Sequence, residues 1–498
     1  MLCDVRVPAS RCTSKFVVCY CTFLYFQRKV RGQSVSMRDQ AGDVLSQLDY
    51  YYGLAKRQLL RYQSATSHLY PDTSSNKSQA HLRDSIYCSV AVWSLYQGYR
   101  RADDNRGKAY ELGQSAVSCM RGILVTWMRQ SEQLEQWKHN QCPKFALYTV
   151  VGLHDGQKIL DHSEYNHLQL DVVCLYLLFL VQMISSGLEI IYSMEEVALV
   201  QNLVYYIERA YRTPQYSWGR GTKYNDGTPE VSASAIGMAK AALEAINGFN
   251  LFGERGSNYS VICVDIDAHN RNRSIFETLL PRESNTKSTD VSLLTTISFP
   301  AFATMIPALY SQTKERVVEQ LKGQYGFKRF LGDGYGTELE DNHRRYYHRG
   351  ETMEFDNVEN EWPVFFLNMI IDGVFKDLPD QVAMYSELVE KRMAYDLQTG
   401  DPLIPQMYCV KSEEMKQEKE KPKSQRRKIT NCQNNTPTEV FLWGQAMFII
   451  SELLTHNLVY IYELDPIKRY LPCYARPKPV GRYSSFSFLG IDSQSKMI

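Results

Sequence analysis

Between Trp218 and Gly253 the chain reads WGRGTKYNDGTPEVSASAIGMAKAALEAINGFNLFG, a glycine-rich loop joined to a helix built mainly of small residues. Thr228-Pro229-Glu230 has the composition of a helix start: a side-chain cap, a proline suited to the first helical position, and an acid at the positive end of the dipole. Asn247-Gly248 reads as the stop. Between them Ala233, Ala235, Gly237, Ala239, Ala241, Ala242 and Ala245 leave the backbone nearly bare. A helix of this kind has to be enclosed by close neighbours, with its polar loop at one end of the enclosure.

The rest of the chain supplies the neighbours. Apolar residues recur at three- and four-residue steps over 45–60, 86–99, 107–133, 171–184, 194–211, 232–246, 288–306, 313–322, 362–375, 381–395 and 439–454, which predicts helices. Val172 to Val181 is apolar on every side but only about ten residues long, so it reads as a buried core helix rather than a membrane span. Strand signals are few: 259–265 reads as a short strand or extended loop, followed by a polar run to Arg273. About twelve helices with long connections, above all 322–361, predict an all-α fold of helical pairs stacked round a centre.

Composition excludes several function classes. Lys+Arg 56 against Asp+Glu 55 gives a net charge of +1, which disfavours nucleic acid or an anionic membrane as a broad electrostatic partner. The twelve cysteines have no zinc-ligand spacing and read as free thiols, so no metal or cofactor is expected. Residues 1–36 read as a poorly ordered leader whose apolar run Phe16 to Phe26 lacks a cleavage site. The segment 411–430, with eight basic and four acidic residues up to Lys428, reads as a flexible charged loop. Within it Arg426-Arg427-Lys428-Ile429-Thr430 has the form of a basophilic kinase site, making Thr430 the phosphorylation candidate. Residues 471–498 read as a flexible tail without a prenylation box.

Seven stretches taken together carry a resemblance: LDYYYGLAKRQLL (48–60), HLRDSIYCSVAVWSLYQGYRRADD (81–104), YNHLQLDVVCLYLL (165–178), GMAKAALEAINGFNLFG (237–253), VDIDAHNRNRSIFETLLPRES (264–284), YGFKRFLGDGYGT (325–337) and VFLWGQAMFIISELL (440–454). The chain resembles the large regulatory subunits of phosphorylase kinase, the beta type more than the alpha through INGFNLFG, DAHNRNR and LPRES. The resemblance implies an (α/α)6 toroid over 37–470, similar to glucoamylases and other family 15 glycoside hydrolases, with a sugar-sized pocket at one end of the barrel. It also implies assembly with the catalytic, alpha and calmodulin subunits of that kinase. The implied location is cytoplasmic, with the plasma membrane reached only peripherally. Since such subunits are longer, the chain resembles a short isoform or truncated product.

Hydrolysis by this fold requires one carboxyl to protonate the leaving oxygen and another to activate water. By the resemblance, the acid position falls on Gly219, after Trp218, and the base position on Gln406. Neither a hydrogen nor a neutral amide performs those steps. The sugar-binding side is expected at Arg83 and Asp84, a fork of donors beside an acceptor that suits a vicinal diol. A structural ion pair explains the same two residues. Trp218, Glu361, Trp362 and Trp443 are expected round the same pocket. His167 reads as a core histidine, and Glu230 as first-turn helix charge. The reading is a non-catalytic regulatory or scaffold subunit with a vestigial glucan pocket; an active α-glucan hydrolase and a glucan-sensing module are the competing readings.

Overall fold

The computed structural model describes residues 37–102, 107–159, 168–215, 218, 219, 221–253, 256, 258–411, 413–420, 427–429 and 439–476. The chain divides into two units, 1–47 and 48–498; within the first, only the opening turns of one helix are described. The second unit contains the features discussed below.

In chain order the helices are α1 (Met37–Gln58), α2 (Leu82–Arg101), α3 (Lys108–Met128), α4 (Ser131–His139), α5 (Leu170–Ser185), α6 (Met194–Glu208), α7 (Ala233–Ile246), α8 (Ile266–Leu279), α9 (Ser292–Ile297), α10 (Pro307–Leu321), α11 (Val364–Phe375), α12 (Pro379–Arg392), α13 (Met415–Glu420), α14 (Leu442–Thr455) and α15 (Ile461–Leu464). Three two-stranded antiparallel ribbons accompany them: β1 (Gln79–His81) with β2 (Val150–Gly152), β3 (Ala394–Tyr395) with β4 (Pro402–Leu403), and β5 (Met407–Cys409) with β6 (Arg427–Ile429).

Six helices form a closed inner ring in which α2 packs on α5, α5 on α7, α7 on α9, α9 on α11, α11 on α14, and α14 back on α2. Their sequences explain the position. In α5, every residue from Val172 to Ile184 is buried; α11 and α14 are buried almost throughout. A helix apolar all round is stable only when enclosed. The helices that alternate with them along the chain are amphipathic. In α3, Leu112, Ala116, Met120, Ile123 and Leu124 turn inward, while Tyr110 and Val125 stay exposed. This is the (α/α)6 toroid.

The small-residue helix has the expected role with a revised cap. Gly237 of α7 lies so close to its neighbours that a Cβ there would stand 2.3 Å from Thr296 Cγ2 of α9 and 2.6 Å from Phe276 Cε2 of α8. Asn247 and Gly248 (φ +73°) end the helix as read. It starts after Ser232, as the 232–246 periodicity predicts; what is revised is the cap, since Thr228-Pro229-Glu230 lies before the helix and Glu230 carries no first-turn charge. The Glu230 carboxylate is buried and accepts from Ser284 Oγ (2.6 Å), Thr286 Oγ1 (2.7 Å) and Thr286 N (3.1 Å), tying the 218–232 loop to the 284–286 turn.

Other boundaries also moved. The polar run after 265 is helix α8, capped by Asp265, whose side chain accepts from Asp267 N and Ala268 N. It was missed because it buries a narrow stripe, Ala268, Asn272 and Phe276. The expected 288–306 helix is only six residues long, because Phe299-Pro300 breaks it. The 107–133 run is two helices, α3 and α4. Within the charged segment 411–430, read as flexible, α13 seats Met415 in a small cluster with Tyr347, Phe355, Val358 and Val410, and β6 pairs with β5. Thr430, His167, the 1–36 leader and most of the tail lie outside the described residues.

Candidate functional site

The first turns of all six inner helices converge at one end of the ring. Arg83 and Tyr87 come from α2, Asp171 and Leu175 from α5, Ser234 and Met238 from α7, Ser292, Thr295 and Thr296 from α9, Phe365 from α11 and Trp443 from α14. Trp218 completes the wall from the glycine-rich loop. Six helix N-termini give this end a positive field, and acidic side chains occupy it. Asp171 opens α5. Asp290 accepts from Ser292 N (2.9 Å) at the start of α9, and Glu283 accepts from Ser234 N (3.1 Å) at the start of α7.

The end of the barrel is filled by its own side chains. Tyr87 and Trp443 stack at 5.6 Å with 20° between planes. Phe365 meets Trp443 edge-on at 5.9 Å and Trp218 edge-on at 6.0 Å. The Arg83 guanidinium lies over the Trp218 ring at 5.5 Å. What remains is a cavity of about 30 Å³, well below the several hundred Å³ typical of ligand pockets.

Its polar groups are largely spent on one another. Arg83 Nη2 donates to Asp171 Oδ2 at 2.6 Å. The indole N–H of Trp218 donates to both oxygens of Asp290, at 3.2 and 3.1 Å. Ser234 Oγ donates to Glu283 Oε1 at 2.5 Å. Burial raises the Asp171 carboxyl, although the Arg83 charge pulls it back. Burial, reinforced by the neighbouring Asp290 charge, pushes Glu283 up to about 8, so it is neutral at pH 7.

Of the residues expected at a sugar pocket, the structure brings Arg83, Trp218 and Trp443 to the cavity wall and leaves Asp84, Glu361 and Trp362 out of it. Arg83 pairs with Asp171 across the cavity, while the adjacent Asp84 does not line it. Asp84 is buried, and desolvation raises it to about 6. Glu361 pairs its backbone with Tyr408 and accepts from Tyr325 N at 2.7 Å. Trp362 stacks on Tyr335 at 6.1 Å. Gly219 follows Trp218 with φ +66°, a conformation that disfavours any residue with a Cβ. Gln406 is half-buried between β4 and β5 and does not reach the cavity wall.

Sequence reasoning missed Asp171, Glu283, Asp290, Tyr87 and Phe365 as site residues. The signal for Asp171 was its place directly before the apolar run of α5; nothing local marked the others. Among the described residues no cluster of His, Cys, Asp or Glu could hold a metal ion, and no helix is long and apolar enough to cross a membrane.

Comparison with known proteins fits this geometry. The sequence profile of Glycosyl hydrolases family 15 matches residues 46–487. The chain belongs to that family. A Drosophila melanogaster protein named probable phosphorylase b kinase regulatory subunit beta is 54% identical over 452 residues, 90% of this chain and 40% of that protein. The probable alpha regulatory subunit of the same organism is 43% identical over 437 residues, 87% of this chain and 34% of that protein. The Oryctolagus cuniculus skeletal muscle alpha isoform is 39% identical over 443 residues, 88% of this chain and 35% of that protein. The family 15 chain described here thus spans 40% or less of the length of these relatives. Among solved structures, a wild-type glycosidase superposes with a TM-score of 0.55 at 15% identity, covering 86% of this chain and all of the other. A variant of a glycosidase solved in complex with glucose gives the same TM-score at 14% identity. At that identity the likeness is one of fold.

Proposed function

We propose that this chain is a non-catalytic regulatory and scaffolding subunit of a phosphorylase b kinase complex, acting in the control of glycogen breakdown. The observation that carries the reading is the barrel end. The position expected to hold the proton donor is Gly219 at positive φ, and Tyr87, Trp218, Phe365 and Trp443 pack round a cavity of only about 30 Å³. Glycoside hydrolysis needs two carboxyl groups free to act on opposite faces of a bound sugar. The acidic side chains here instead hold Arg83, Trp218, Ser234 and Ser292. The names of the relatives, phosphorylase b kinase regulatory subunits, supply the complex.

In this reading the catalytic, alpha and calmodulin subunits are the partners, the location is cytoplasmic, and the family 15 barrel serves as a rigid body rather than as a glucan site. The outer surface then carries the contacts, and the charged segment 411–430 is the place where a modification changes them. Co-expression of the chain with the catalytic subunit, alone and with the alpha and calmodulin subunits, followed by affinity capture and native mass measurement, tests it. A stoichiometric complex is expected. A chain that stays monomeric in every combination contradicts the proposal.

A further inference from the structure

A groove of about 450 Å³ runs beside the C-terminal half of α3, between the loop 64–69 and the turn 153–157 that follows β2. It shares no residue with the barrel-end cavity. Its two walls are fastened to each other: Thr66 Oγ1 donates to the His154 carbonyl at 2.5 Å, Ser67 Oγ donates to the Leu153 carbonyl, and Ser64 Oγ meets His154 Nδ1 at 3.4 Å. Gly122 of α3 admits the loop, since a Cβ there would stand 2.1 Å from the Ser67 carbonyl oxygen. The groove is therefore a built feature, held by bonds that do not depend on a ligand.

Its charge departs from that of the chain. The whole sequence is balanced, 56 basic residues to 55 acidic, but the groove is lined by Arg121, Arg129, His68 and His154 against Asp155 alone. Arg121 is ion-paired within the wall, donating to Glu196 at 2.8 and 3.1 Å and to the Ile190 carbonyl at 2.6 Å, so it adds little free charge to the groove. Arg129 gives Nη1 to the Asp155 carbonyl, and its other guanidinium N–H groups have no protein partner among the described residues. His154 lines the groove and meets Ser64 Oγ through Nδ1. The Asp155 carboxylate is turned to its own loop, accepting from Gln157 N at 3.0 Å.

A guanidinium with spare N–H donors beside imidazole nitrogens matches a tetrahedral oxyanion, and the volume has room for a group attached to it. We propose that this groove binds a phosphate monoester, with Arg129 and His154 as the contacting residues. A soluble phosphate ester and a phosphorylated side chain present the same headgroup, so the test separates them.

Titration calorimetry of the full chain is carried out with inorganic phosphate, a hexose 6-phosphate, a phosphoserine peptide, and the unphosphorylated hexose and peptide. Binding is expected only for the phosphorylated probes, weakened at least tenfold by Arg129→Ala and several-fold by His154→Ala, and unchanged by Arg271→Ala outside the groove. Arg129→Lys keeps the charge and loses the fork; intermediate affinity is expected, with an unchanged melting temperature showing that the fold survives. Tighter binding of the hexose phosphate identifies a free ester as the ligand, and tighter binding of the peptide identifies a phosphoprotein. Absence of heat with every phosphorylated probe, or binding unaffected by Arg129→Ala, overturns the proposal.

Discussion

Replacing Gly237 by alanine sets two effects of known sign against each other. Alanine is the better helix former, by about 1 kcal/mol, so in an open helix the change would stabilise. Here the new methyl would stand 2.3 Å from Thr296 Cγ2 and 2.6 and 2.9 Å from two ring atoms of Phe276. Contacts this short on two sides require both α8 and α9 to shift, and overpacking of that kind costs about 1–3 kcal/mol. The packing term wins, and Gly237→Ala should destabilise by about 1–2 kcal/mol, read as a lower denaturant midpoint at unchanged slope. Thr296→Ser in the same background removes the nearest atom while keeping a hydroxyl at the position that bonds the carbonyls of Ser234 and Ser292. It should recover part of the loss, the remainder being due to Phe276, with a coupling of at least about 0.5 kcal/mol in a double-mutant cycle. A stabilised Gly237→Ala protein, or additive single changes, would refute the claim that a bare helix face holds α7 against α8 and α9.

Two further outcomes follow from the site and its surroundings. Glu283 is held up to about 8 in the folded protein against an ordinary 4.5, so the folded state keeps a proton that the unfolded chain has lost by neutral pH; stability should fall as pH rises from about 4.5 toward 8, and Glu283→Gln should flatten that slope in urea titrations, an unchanged slope counting against it. Met415→Ser removes the side chain that seats α13 among Tyr347, Phe355, Val358 and Val410, and trypsin should then cut near Lys411 and Lys416 faster than in the parent protein; equal rates would show that α13 is not held by that contact.

The fold was legible where the cause was local. The stop at Asn247-Gly248 and the all-round apolarity of α5 are properties of a few consecutive residues, and both gave the right element. Periodicity over 232–246 placed α7, but Thr228-Pro229-Glu230 misled as its cap, because the Glu230 carboxylate is claimed by Ser284 and Thr286 more than fifty residues away. Helix α8 was hidden by its polarity, since one buried residue per turn, Ala268, Asn272 and Phe276, suffices when α7 offers a surface of alanine and glycine to lie on. The site shows the same division. Arg83 could be singled out from its motif, but its partner could not: the adjacent Asp84 was the local choice, and the fold supplies Asp171 from the next inner helix. The aromatic fill joins Tyr87, Trp218, Phe365 and Trp443 from four separate elements, so no window of sequence contains it.

The central claim, a family 15 barrel that does not hydrolyse, is tested most directly by glucose release from maltooligosaccharides and glycogen with the purified chain. Release no faster than the buffer blank is predicted at every pH from 4 to 8, for the parent protein and for Asp171→Asn alike. Turnover by the parent protein that Asp171→Asn or Glu283→Gln abolishes would contradict it.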